Sequence, residues 1–96
     1  MQTAIDIVTF IIQTPEVCGG RPRIAGTRTA VQNVAIDFNA GMKPEEIASE
    51  RIHLSEAQVY AALAYYHANK GMIDSNIAAY YKEFEDLEEM PYRNHN

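Results

Sequence analysis

A chain of 96 residues with 47% apolar side chains makes one small globular domain with a modest core, because this length buries only about two-thirds of its unfolded surface. A formal charge of −5 argues against the broad basic face that strong nucleic-acid or anionic-membrane binders carry. One cysteine, Cys18, excludes an internal disulfide and favours a cytoplasmic protein.

The first apolar run, Ile7 to Ile12, is interrupted by Thr9 and is far too short to span a bilayer. The N-terminus has neither the basic flank nor the long apolar region of a signal peptide. In "IVTFIIQ", residues 7–13, Val8, Phe10 and Ile12 alternate with Thr9, Ile11 and Gln13, which predicts a short strand. "TPEVCGG" breaks it, and "RPRIAGTRT" reads as a second extended piece folded on itself at Ala25-Gly26.

From Ala30 the period changes to that of a helix. Val31, Val34, Ala35 and Phe38 fall on one face, and Asn39-Ala40-Gly41 ends the element, with Gly41 suited to a left-handed cap and Met42 to the contact behind it. Pro44 opens a second, short helix to about Arg51, with Glu45 and Glu46 at its positive end. Lys43 stands oddly at its start, since it offers no acceptor.

In "LSEAQVYAALAYYHANKG", Ser55 and Gln58 form an S-x-x-Q capping box, and Leu54 with Val59 form a hydrophobic staple. Val59, Ala62, Leu63 and Tyr66 make the core stripe, and Gly71 is expected to close the helix. A last helix over about 73–89 has Ile73, Ile77, Tyr80, Phe84 and Leu87 on its apolar stripe. From Met72 onward there are six acidic residues against two basic ones, so the acidity belongs to this tail.

The outline is mainly α: a homeodomain-like three-helix (helix-turn-helix) bundle with an N-terminal short β-segment and a C-terminal amphipathic helix. One domain is expected, with residues 1–29 as β-segment and dimerisation arm, 30–71 as bundle, and 72–96 as acidic helix and tail.

"TPEVCGGRPRIAGTR", "AGMKPEEIASE" and "HLSEAQVYAALAYYHANKGMID" together resemble the DUF433 family over about 14–74. Two positions depart from the family pattern: Ala30 follows Thr29 where a proline is common after G-T-R-hydrophobic, and Arg51-Ile52 precede His53 where Tyr-Pro is frequent. The resemblance implies the homeodomain-like bundle and a homodimer formed through the β-segment. It also implies an antitoxin of VapB type, which sequesters a PIN-like nuclease toxin and represses its own operator DNA.

The residues themselves carry no enzyme constellation. Gly20 and Gly26 enclose five residues with no lysine after the second, and Pro22 removes an N–H that a phosphate cradle would use. Cys18 lacks a neighbouring base, and His53 and His67 have poor metal spacing, so neither catalytic residues, metal nor cofactor is expected. DNA contacts, if made, fall to Arg21, Arg23, Arg28, Lys43 and Arg51 for phosphate, with Ser55 and Gln58 on the third helix. That helix has no cation before Lys70, and it reads first as a packing element and second as a base reader. For a protein partner the anchors are Ile77, Tyr80, Tyr81, Phe84 and Leu87, with Arg93 reaching for nuclease carboxylates. The same helix can instead stabilise the protein's own dimer. The leading expectation is a non-enzymatic antitoxin-like protein; the alternative is a small dimeric adaptor with no nucleic-acid role.

Overall fold

The computed structural model describes residues 6–88, with side-chain surroundings through Glu85. It is mainly helical. Among the described residues two short strands, β1 (Ile11–Ile12) and β2 (Arg23–Ile24), precede four α-helices: α1 (Val31–Asn39), α2 (Pro44–Glu50), α3 (Glu56–Ala68) and α4 (Lys70–Glu88).

The expected strand over 7–13 is corrected. Ile7–Phe10 is a 3-10 turn, and only Ile11–Ile12 is extended. The cause is Asp6. Its carboxylate accepts the Val8 N–H at 3.1 Å, and its carbonyl accepts the Thr9 hydroxyl at 2.7 Å. Local side-chain bonds of this kind compete with a ladder and win where the strand is short.

β1 pairs antiparallel with β2 in the register Ile11 with Ile24 and Ile12 with Arg23. The chain then turns at Ile24–Thr27, where the Thr27 N–H donates to the Ile24 carbonyl at 3.1 Å and Gly26 takes φ 80°. A side chain is strained at that φ, so glycine suits the position. The returning segment bridges Ala30 to Arg23, so the piece folds on itself as expected, and β2 lies between two extended neighbours.

α1 ends as its sequence predicts. The Met42 N–H donates to the Asp37 carbonyl and the Gly41 N–H to the Phe38 carbonyl, the two bonds of a Schellman cap. Met42 packs against the core behind it. At the start of α2 the Glu46 carboxylate accepts the Lys43 N–H at 2.7 Å, which ties the cap residue's own backbone to the first turn, while the lysine side chain caps none of the helix's N–H groups. The α3 capping box is complete: Ser55 Oγ accepts the Gln58 N–H at 3.2 Å, and Gln58 Oε1 accepts the Ser55 N–H at 2.7 Å.

Gly71 does not close α3, contrary to expectation. The helix ends at Ala68 with Asn69 as its cap, and α4 begins at Lys70, so Gly71 lies within α4's first turn. Asn69 supplies the break, donating its side-chain amide to the Tyr65 carbonyl at 3.0 Å.

The core joins β2, the three bundle helices and the start of α4: Ile24, Val31, Val34, Ala35, Ile47, Leu54, Val59, Ala62, Leu63, Tyr66 and Ile73. Burying aliphatic side chains such as these contributes about 1.5–3 kcal/mol each. Ala61 is buried on a second side of α3, which fits a packing helix. α4 then leaves the bundle. The molecule measures 63 × 28 × 23 Å, and its radius of gyration of 15.7 Å exceeds the ~12.5 Å of a compact chain of this length. Among the described residues no helix is long and apolar enough to cross a membrane.

Candidate functional site

Among the described residues, three polar nodes and two apolar surfaces stand out beside the Arg51–Asp37 pair. The first node ties the β-arm together. Arg23 donates to the Thr27 carbonyl at 2.8 Å and to Thr14 Oγ1 at 3.1 Å, while its Nε is buried without a partner. Arg23 is therefore a brace within the arm. Thr29 Oγ1 and His53 Nε2 meet at 2.9 Å and tie the arm to the α2–α3 turn. Cys18 holds φ 54°, an uncommon conformation for a side-chain-bearing residue, and its thiol donates to the Arg28 carbonyl at 3.0 Å.

The second node fastens α4. The buried Tyr66 hydroxyl accepts from Asn39 Nδ2 at 3.1 Å and donates to Asp74 Oδ1 at 2.7 Å; Lys70 Nζ holds the other carboxylate oxygen at 2.7 Å. The Lys70 ammonium, and after it the Tyr66 hydroxyl, hold the Asp74 carboxyl below its ordinary value. Asp74 in turn raises Lys70. The third node is on the surface, where the Tyr60 hydroxyl donates to Glu45 at 2.6 Å, lowering the carboxyl and raising the phenol.

The residues expected to meet DNA are dispersed among structural duties. Arg23 is engaged in the arm, and Arg51 pairs with Asp37 at 2.9 Å. Ser55 and Gln58 spend side-chain oxygens on the capping box. Arg21 lies over Gly19, its Nη1 3.3 Å from where a Cβ would stand. Arg28 and Lys43 are exposed. Among the described residues no group of three His, Cys, Asp or Glu side chains is placed to hold a metal ion.

The partner anchors, in contrast, stand together. Ile77 is half-buried against the core; Tyr80 and Tyr81 one turn on, and Phe84 two turns on, are exposed on the same stripe. Their rings touch: Tyr80 lies 5.5 Å from Tyr81 and 5.8 Å from Phe84, centroid to centroid. This is a preformed aromatic ridge. The Leu87 side chain and Arg93 lie outside the described residues.

The second apolar surface was not expected from the sequence. A groove of about 290 Å³ is lined by Ile7, Val8, Ile11, Ala61, Ala64 and Tyr65. Ile7 and Val8 form its rim, 57% and 76% exposed. Reading 7–13 as a strand hid it, because the 3-10 turn is what lays Ile7 and Val8 beside the small residues of α3.

The family model described as "Protein of unknown function (DUF433)" matches residues 11–66. A crystal structure of a DUF433 member protein from Anabaena variabilis ATCC 29413 is similar, with a TM-score of 0.68 and 34% identity, covering 73% of this chain and 69% of that one. No curated protein matches the chain. The match spans the β-arm and bundle that hold both the arm brace and the α3 wall of the groove, and on that ground the chain belongs to the DUF433 family.

Proposed function

We propose that this chain is a non-enzymatic, antitoxin-like protein of the cytoplasm. In this reading α1 to α3 form a homeodomain-like bundle, the protein is a homodimer, and the far half of α4 grips a PIN-like nuclease. One observation carries the proposal: the apolar stripe of α4 runs off the bundle and ends in the exposed ridge of Tyr80, Tyr81 and Phe84. Large aromatics in an amphipathic helix are the side chains that most often anchor helix-in-groove binding.

The test is co-purification with the nuclease encoded beside it, using the full chain, a chain lacking residues 75–96, and a Tyr80→Ser/Tyr81→Ser/Phe84→Ser variant. The proposal expects inhibition by the full chain alone. If either altered chain inhibits fully, α4 is not the inhibitor.

The adaptor alternative draws support from the engagement of Arg23, Arg51, Ser55 and Gln58 within the fold, which leaves few groups for operator DNA. A shift assay on the protein's own promoter at low and physiological salt separates the two readings, because phosphate-driven binding falls steeply with salt. No specific shift at either salt removes the repressor role.

A further inference from the structure

The aromatic ridge and the groove are two unpartnered apolar surfaces on one chain, and their shapes are opposite. The ridge is built of rings that meet edge-on and tilted along one helix. The groove is concave, with Ala61 and Ala64 as small residues between the rims. None of the six side chains lining the groove carries a charge, so an apolar helix face enters it without stranding an ion.

The chain's own ridge is badly placed to fill its own groove. α4 is one continuous helix of 19 residues, about 28 Å long, anchored at its near end by Ile73 and the Tyr66–Asp74 bond. The bundle of the same chain leaves its far half uncovered, with Tyr80, Tyr81 and Phe84 40%, 47% and 54% exposed.

We propose that a second copy of this chain supplies the occupant: the Tyr80–Phe84 ridge of each protomer lies in the Ile7–Val8–Ala64 groove of the other. The exchange is reciprocal, so a two-fold axis closes it and no filament grows. The area is enough for a weak dimer. Tyr80, Tyr81 and Phe84 are 40%, 47% and 54% exposed, so each offers roughly half of an aromatic side chain's ~150–250 Å², and covering both ridges and both groove rims removes on the order of 1,000 Å², the lower limit for a specific interface. The inference rests on the homodimer proposed above and adds its geometry. It also adds a consequence: a nuclease that takes the ridge must displace the second copy, so partner capture and dimerisation compete.

The experiment uses the full chain in a Cys18→Ser background. Ala64→Cys and Glu85→Cys, the latter beside the ridge with its rings intact, are introduced in separate chains, both at exposed positions where folding is not at risk. Each is treated with a short bis-maleimide alone and after mixing, and masses are measured by light scattering before treatment. The expected result is a dimer mass and a cross-linked dimer in the mixture only. A dimer mass with Glu85→Cys cross-linking to itself places α4 against α4 and overturns the exchange while leaving the homodimer. A dimer mass with no cross-link in the mixture does the same. A monomer mass at every concentration overturns both. In a chain carrying both cysteines, a cross-link confined to the monomer shows a helix folded onto its own groove and overturns the exchange as well.

Discussion

Ile73 and Phe84 lie on the same side of α4, about three turns apart. Ile73 has no exposure, and Phe84 is 54% exposed. The sequence pattern is the same at both ends of this stripe; what differs is the length of what it packs on. α1 has 9 residues, about 14 Å of helix, and α4 has 19, about 28 Å. The bundle therefore covers the first half of the stripe and cannot cover the second. Amphipathic periodicity states that a face wants burial, and the neighbouring elements decide whether the same chain provides it.

The largest expected effect lies on the covered half. Ile73→Ala should destabilise the fold by about 2–5 kcal/mol in urea denaturation, as large-to-small changes in a packed core do. Phe84→Ala should leave the packed core intact and weaken the dimer; its signature is a melting temperature that no longer rises with protein concentration. Equal, concentration-independent losses at both positions would break the contrast.

Tyr66→Phe keeps the ring and removes the hydroxyl that joins α1, α3 and α4. A loss of about 1 kcal/mol is expected, with faster amide exchange over the first turns of α4. Ser55→Ala should cost about 1 kcal/mol by removing the α3 cap, and it should leave the dimer mass unchanged because it touches neither half of α4.

The smallest effect is in pH. The folded Asp74 carboxyl is held below its ordinary value, so its contribution is present above that value and is lost as pH falls through the folded one. Lys70 is raised, so its contribution is present below its ordinary value and is lost as pH rises through the folded one. The pair thus fastens α4 across the neutral range and releases it at either extreme. An NMR titration of the Asp74 carboxyl should move up in Lys70→Met and, by less, in Tyr66→Phe. No movement in either would detach the node from α4.

Much of the bundle was legible because its signals are local. The Gly41–Met42 cap, the Ser55–Gln58 box and the Val59, Ala62, Leu63, Tyr66 stripe each need only a few neighbouring residues to be recognised. Two elements were not legible. Ile7–Phe10 has strand-like composition, but Asp6 captures the amide and hydroxyl that a ladder would use. Gly71 looked like a terminator, yet it takes no positive φ, and Asn69 makes the break. Of the candidate site, the ridge was visible as periodicity. The groove was not, because it joins Ile7 and Val8 to α3 residues more than fifty positions away. The roles of Arg23 and Arg51 as internal braces were equally hidden, since charge alone does not say whether a guanidinium faces solvent or a neighbouring loop.

The central claim is that the far half of α4 is an interface. Backbone amide exchange over residues 73–88, followed against protein concentration and against added nuclease, tests it most directly. The account predicts slow exchange at Ile73 and Ile77 under all conditions, and protection at Tyr80 to Phe84 that rises with either titrant. Exchange at Tyr80 to Phe84 that stays fast and unchanged throughout would contradict it.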